Sequence, residues 1–438
     1  MAKAVILGGG ESGFGSAVLA KVKGFDTFLS DNGKIAEKYI KKLDEYGIRY
    51  EQGGHTEELI LDADVVIKSP GIPDKAPMVK ALREKGVEII SEIEFAGRYT
   101  KGKTVCITGS NGKTTTTTLT HKIFVDAGYD VAVGGNIGES FAFTVATTDK
   151  EWYVLELSSF QLDGCYSFKA DTAVLMNITP DHLDRYDYKF QNYIDSKMRV
   201  IRNQGAEDSF IYCADDAATM QEVEKISPSM QCVAFGKQCI DTEGQLHVEA
   251  AGRKMILDSN RIQIKGLHNC YNVMAAVAVA LTAGITEESI ERSVYSFEGV
   301  EHRLEKVATI DGVEYVNDSK ATNVDSVWYA LESMTRPTIW IAGGTDKGND
   351  YGPLRGFVEQ KVKALVCMGL DNKKLVEYFG GLVPVYDTDS LEKAMQVCRE
   401  IATEGDTVLL SPACASFDLF KNYEDRGRKF KAAVLEQQ

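Results

Sequence analysis

The chain predicts an α/β fold with largely parallel sheets, on three observations. Short apolar runs alternate with helical or loop segments along most of its length. Several of those runs end directly in glycine-rich loops. One stretch, residues 208–266, breaks the rhythm and alternates apolar with polar residues, as in Gln245-Leu246-His247-Val248-Glu249.

The runs fall into three groups. Ala4–Leu7, Thr27–Leu29 and Val65–Ile67 come first; Val105–Ile107, Val154–Leu157 and Ala173–Met176 follow; Ile339–Ala342, Ala364–Cys367 and Val408–Leu410 come last. Short, continuously apolar runs read as strands buried on both faces, as in a parallel sheet covered by helices. Boundaries fall near Arg98–Lys103, where TKGK precedes a fresh strand, and near Gly299–His302, just ahead of HRLEK. The expected domains are residues 1–98, 99–300 and 301–438, with 208–266 a β-rich part of the middle one.

The formal charge is −15 and no long basic run breaks it, so nucleic acid is not an expected partner. The opening MAKAVILGGGESG has an apolar run of only Ala4–Leu7 and does not read as a signal peptide. No stretch reaches the ~18 apolar residues a membrane helix needs, so membrane insertion is not expected. Nine cysteines without a C-x-x-C pair read as reduced thiols, which points to the cytoplasm.

The first strand runs into GGGESG, where Gly8, Gly10 and Gly13 fit G-x-G-x-x-G and Asp31 closes the next strand. That layout places a pyrophosphate at a helix N-terminus. A second glycine turn, Ser69-Pro70-Gly71, ends the Val65–Ile67 strand. In the middle domain TGSNGKT, residues 108–114, stands between a strand and a helix. Gly109, Ser110, Asn111, Gly112, Lys113, Thr114 and Thr115 have the order of a phosphate-binding loop, although Ile107 holds the place of the longer motif's first glycine.

Glu156 lies inside the apolar run Val154–Leu157, where a charge needs a partner or a metal. A Mg²⁺ ion held by the Thr114 hydroxyl and the Glu156 carboxylate suits both residues. His182 follows the Ala173–Met176 strand in NITPDHLDR, between Asp181 and Asp184. In the helix over 188–203 the apolar stripe Phe190, Tyr193, Ile194, Val200 and Ile201 encloses Lys197. Either the lysine snorkels outward, or it faces the phosphate site and is modified or titrates abnormally. In the last domain three strand-end loops, NDSKATN (317–323), GGTDKG (343–348) and SPACASFD (411–418), supply lysines and hydroxyls suited to a small anion.

Together with GGNIG (134–138), ELSSFQL (156–162) and HNCYN (268–272), these motifs resemble the Mur ligases nearly end to end. The resemblance is closest to the members that add D-glutamate to UDP-N-acetylmuramoyl-L-alanine. It implies a Rossmann-like N-terminal domain that binds UDP rather than a dinucleotide, a P-loop-type central ATPase domain and a Rossmann-like C-terminal domain. It also implies ATP, two Mg²⁺ ions and a carbamylated Lys197, in an enzyme sufficient as a monomer. Lys113, Glu156, His182 and Lys197 then carry catalysis, and Thr114, Glu156, His182 and Lys197 hold metal. Asn269, Asn272, Arg303 and Asp318 join the loop in holding ATP. Ser12, Gly13, Asp31 and Gly71 hold the uridine end; Asn136, Ser158 and Gln161 surround the acceptor end. Lys320, Thr322, Lys347, Ser416 and Phe417 hold D-glutamate. Three other readings stand beside this one: a folate-type amide ligase of the same build, an NAD(P)-linked dehydrogenase resting on GGGESG alone, and a non-catalytic nucleotide-binding regulator.

Overall fold

The computed structural model describes residues 1–226 and 229–436. It contains three α/β sheets and one hairpin. The first sheet is built from β1 (Lys3–Leu7), β2 (Asp26–Asp31), β3 (Arg49–Gln52), β4 (Val65–Lys68) and β5 (Glu88–Ile90), in the order β3-β2-β1-β4-β5. Every pairing in it is parallel. The second comprises β6 (Lys103–Thr108), β7 (Val131–Gly135), β8 (Trp152–Glu156), β9 (Thr172–Leu175), β10 (Ser209–Cys213) and β11 (Gln231–Phe235). Its order is β11-β10-β9-β6-β8-β7, again all parallel.

β12 (Gln245–Ala250) and β13 (Arg253–Asp258) pair as an antiparallel hairpin. Leu246, Val248 and Ala250 face inward while His247 and Glu249 are exposed, as the alternation requires. The third sheet comprises β14 (Glu305–Ile310), β15 (Val313–Asn317), β16 (Thr338–Ala342), β17 (Val362–Met368), β18 (Val385–Thr388) and β19 (Thr407–Leu410). Its order is β14-β15-β19-β16-β17-β18, antiparallel only at β14–β15.

The chain divides into two compact units. Met1–Ile262 with Asn269–Phe297 carries the first two sheets, and Gln263–His268 with Glu298–Gln438 carries the third. Within the first unit the helices Glu11–Val22 and Phe141–Thr147 pack together, and one continuous apolar core joins Phe14, Ile93 and Phe141. Helix starts follow local chemistry. Ser140, Asn323 and Asn422 each accept the backbone N–H three residues on.

The stretch 208–266 is not uniformly β-rich. β10 and β11 extend the parallel central sheet, and the helix Ala217–Lys225 lies between them. Asp216 caps that helix by accepting from Thr219 N at 2.9 Å. Only β12–β13 is the antiparallel element that the alternation describes.

One buried carboxyl sits where the first two sheets' helices meet. Glu92 Oε1 accepts from Ser140 Oγ and from Ala142 N, while Oε2 has no hydrogen-bond partner among the described residues. Burial pushes the group up to about 7. Its folded pKa lies above the unfolded value, so the stability it contributes is full at low pH and is lost as pH rises toward 7. Urea unfolding at pH 5 and pH 8 is expected to show this loss, about 3 kcal/mol. Glu92→Gln, which cannot ionise, is expected to flatten it.

Candidate active site

In each sheet the order reverses beside one strand, and the loops leaving the carboxyl ends on either side of that point form a crevice. The reversals fall between β1 and β4, between β6 and β9, and between β16 and β19. The loops there are GGGESG and SPG, TGSNGKT and NITPD, and GGTDKG and SPACASFD.

TGSNGKT turns β6 into the helix Lys113–Asp126. Gly109 at φ 149° and Gly112 at φ 83° occupy backbone conformations that side-chain-bearing residues rarely adopt. A Cβ on Gly112 would also lie 2.5 Å from Asn272 Oδ1. The loop is laced to the segment after β9. Ser110 Oγ donates to Thr179 O at 2.8 Å and accepts from Thr179 N at 2.9 Å. Asn111 N donates to Asn177 Oδ1 at 2.8 Å. Thr114 and Thr115 lie buried in the first helical turn. Behind it, Asn272 Oδ1 accepts from Thr116 Oγ1 at 3.2 Å and Asn272 Nδ2 donates to Asn269 Oδ1 at 2.9 Å.

Lys113 Nζ donates to Gly109 O at 2.8 Å and Ser110 O at 2.9 Å. Lys197 Nζ reaches the same Gly109 carbonyl at 2.8 Å. Lys197 is 1% exposed and sits 4.7 Å from the centroid of the Tyr193 ring. The outward-snorkelling reading of this lysine is therefore wrong: its helix presents that face to the TGSNGKT loop. Burial, reinforced by the charge of Lys113, drives its pKa well below the ordinary lysine value, with Asp181, Glu156 and Asp163 opposing. Burial thus favours the neutral amine relative to an exposed lysine.

Glu156 closes β8 and is 1% exposed. Its Oε1 accepts from Asn136 Nδ2 at 2.8 Å, and Asn136 N donates to Glu156 O at 2.8 Å. The GGNIG loop is thereby fixed beside the carboxylate. His182 adopts φ 52° ahead of the turn Leu183–Arg185, with Nε2 3.5 Å from the Asp181 carboxylate and its ring edge-on to Phe160. Ser158 and Gln161 cap the helix Ser159–Leu162 reciprocally, Ser158 N donating to Gln161 Oε1 at 2.9 Å. Both start this helix, and part of their hydrogen-bonding capacity is used there.

At the first crevice a Cβ on Gly13 would lie 1.8 Å from Gly8 O, so only glycine lets the helix pack on the loop. Asp31 accepts from Gly9 N at 2.5 Å and Gly33 N at 2.6 Å. Ser12 Oγ lies 3.5 Å from Ser69 Oγ, and Gly71 is exposed in the turn after β4.

In the second unit Asp318 follows β15. Its buried carboxyl accepts from Ser411 Oγ at 2.8 Å and Leu304 N at 3.2 Å. Burial pushes it up to about 7, with Ser411 and Arg303 opposing. Arg303 Nε is shielded and has no hydrogen-bond partner among the described residues. Lys320 Nζ lies 5.4 Å from the centroid of the Tyr423 ring. Thr322 N donates to Lys320 O at 3.0 Å. Ser416 is buried, whereas Lys347 and Phe417 are exposed.

The three loops of this unit are stitched together. Thr345 and Ala415 exchange backbone bonds of 2.8 and 3.2 Å, and Ala413 N donates to Ala321 O at 3.0 Å. Sequence reasoning missed Cys414 and Arg426 at this junction. Arg426 lies in a charged helix, Tyr423–Leu435, where the run Arg426-Gly427-Arg428-Lys429 reads as a solvated face.

These residues fit a nucleoside triphosphate and a hard cation. A helix N-terminus with a lysine at its first position suits phosphate. Thr114 and Glu156 offer the oxygen donors that Mg²⁺ prefers. An unmodified Lys197 offers only nitrogen, whereas a carbamate there would add oxygens.

The chain belongs to the Mur ligase family. Residues 3–78 match the MurD N-terminal domain, 107–280 the Mur ligase middle domain, and 302–414 the Mur ligase glutamate ligase domain. It is 53% identical, over the full length of both chains, to the UDP-N-acetylmuramoylalanine--D-glutamate ligase of Bacteroides fragilis. Among solved structures it resembles the UDP-N-acetylmuramate-alanine ligase MurC of Thermotoga maritima, with a TM-score of 0.63, 18% identity and 100% of both chains covered. The MurF ligase of Thermotoga maritima in complex with ADP gives a TM-score of 0.61 at 17% identity, over 94% of this chain and 96% of that one.

Proposed function

We propose that this protein is an ATP-dependent ligase that joins D-glutamate to UDP-N-acetylmuramoyl-L-alanine, a step in making peptidoglycan precursors. It does so in the cytoplasm, as a monomer of three domains spanning 1–98, 99–300 and 301–438. The observation that carries the reading is the stitching of NDSKATN, GGTDKG and SPACASFD at one sheet edge. That arrangement gathers Lys320, Thr322 and Ser416, with Lys347 on an exposed turn, where a dicarboxylic amino acid needs cations and hydroxyls.

The γ-phosphoryl of ATP passes to the L-alanyl carboxylate and gives an acyl phosphate and ADP. The amine of D-glutamate attacks the acyl carbon, and the tetrahedral intermediate collapses to an amide, releasing phosphate and a proton. Lys113 and the amides of residues 109–115 hold the β- and γ-phosphates and offset charge as the phosphoryl group moves. Asn269, Asn272, Arg303 and Asp318 hold the rest of ATP. Asn136, Ser158 and Gln161 orient the alanyl end, and Ser12, Gly13, Asp31 and Gly71 hold the uridine end. Two Mg²⁺ ions, one on Thr114 and Glu156 and one on His182 and a carbamylated Lys197, would neutralise the phosphate and the carboxylate. The depressed pKa of Lys197 supports that modification, because a neutral amine adds CO₂ with loss of one proton.

Phosphate release from ATP and Mg²⁺ with UDP-N-acetylmuramoyl-L-alanine tests the reading. Release is expected with D-glutamate and not with L-glutamate or L-alanine. A nicotinamide absorbance change without ATP use would overturn it in favour of a dehydrogenase. ATP binding with no release, whatever the amino acid, would favour a regulator.

A further inference from the structure

Arg426 is 1% exposed, yet among the described residues no carboxylate lies within ion-pair distance of its guanidinium. Its partners are neutral. Nε donates to Ser319 Oγ at 3.0 Å, one terminal nitrogen donates to Ser319 O at 2.9 Å, and both terminal nitrogens reach Cys414 O at 3.3 Å. A buried charge is costly and rare, and the carboxylates that act on this one, Asp418 and Asp318, do so from beyond ion-pair distance. Burial lowers its pKa only to about 10, so it stays cationic at neutral pH.

Its position gives that cost a use. Ser319 immediately precedes Lys320, and Cys414 lies two residues before Ser416. Cys414 Sγ is also met by Tyr351 Oη at 3.4 Å and Asn349 Nδ2 at 3.6 Å. Tyr351 Oη in turn donates to Asp346, the neighbour of Lys347, at 2.7 Å. One guanidinium thus braces two of the strand-end loops directly and reaches the third through Cys414.

We propose that Arg426 is a positioning residue for the amino-acid substrate. It holds the Ser319–Thr322 and Cys414–Ser416 segments in the form that accepts a dicarboxylate. The inference rests on the ligase reading above. Those segments carry Lys320, Thr322 and Ser416, a cation and hydroxyls of the kind a small dicarboxylate needs. Lysine in its place keeps the charge but lacks the planar fork that spans two carbonyls. Methionine keeps much of the volume and loses both.

The test uses full-length Arg426→Met and Arg426→Lys. Two rates are read: complete ligation, and trapping of the acyl phosphate by hydroxylamine without D-glutamate. For Arg426→Met, KM for D-glutamate is expected to rise about tenfold to a hundredfold, the scale of lost charge-assisted hydrogen bonds. Arg426→Lys is expected to give a smaller rise. Hydroxamate formation and KM for ATP are expected to stay within about twofold of wild type in both. An unchanged D-glutamate KM in Arg426→Met, or a parallel fall in hydroxamate formation, overturns the proposal. If Arg426→Met fails to fold, Arg426→Lys decides: a D-glutamate KM equal to wild type overturns the proposal. A wild-type enzyme that forms no hydroxamate would instead overturn the ligase reading itself.

Discussion

Lys197→Ala is expected to lower turnover by roughly a thousandfold, the scale of removing a group that stabilises charge in the transition state, without lowering the melting temperature relative to wild type with unmodified lysine in CO₂-free buffer. The two effects part because the lysine costs stability. Its amine is driven toward the neutral form by burial, whereas the unfolded chain holds it protonated. Stability from this group is therefore present at high pH and is lost as pH falls through the ordinary lysine range and below. Alanine removes that cost and leaves a cavity beside Gly109 and Tyr193. Formate or acetate added to Lys197→Ala is expected to restore part of the activity by placing a carboxylate where the proposed carbamate would stand. Steady-state turnover with and without the acids, alongside thermal melting, checks both halves. Full activity in the alanine variant would end the carbamate account.

Lys113→Ala is expected to cost roughly a hundredfold to a thousandfold in turnover. Its effect on KM for D-glutamate should be small, because Lys320, Thr322, Lys347 and Ser416, proposed to hold that substrate, belong to the other compact unit. Lys113 lies over the loop carbonyls of Gly109 and Ser110, poised where the helix N-terminus already favours an anion. Hydroxylamine trapping in this variant should fall as far as complete ligation does. A fall in ligation alone would place Lys113 in the second chemical step rather than in phosphoryl transfer.

The long parallel strands were legible because burial on both faces demands continuous apolar runs. β1, β6, β8, β9, β16 and β19 all coincide with such runs, and the glycine loops at their carboxyl ends mark the crevices. β3, with exposed Arg49 and Gln52, and β14, with exposed Lys306 and Thr309 and no buried residue, carry no such signal. Which strands neighbour each other is a long-range choice, so β10 and β11 read only as β-rich and not as the extension of a parallel sheet. For Lys197, periodicity gives the face of the helix but not what that face meets; only the fold brings Gly109 O opposite the amine and excludes outward snorkelling. Glu156 was readable because a carboxylate inside an apolar run has few structural uses. Arg426 was not, because its role comes from two loops over a hundred and about a dozen residues away in sequence.

The most direct measurement is the mass of the nucleotide product formed from UDP-N-acetylmuramoyl-L-alanine, ATP, Mg²⁺ and D-glutamate. The account predicts a product heavier by one glutamyl residue, formed in equal amount with ADP and absent when L-glutamate replaces D-glutamate. ADP and phosphate appearing with the nucleotide sugar unchanged in mass, or a product carrying some other amine, would contradict it.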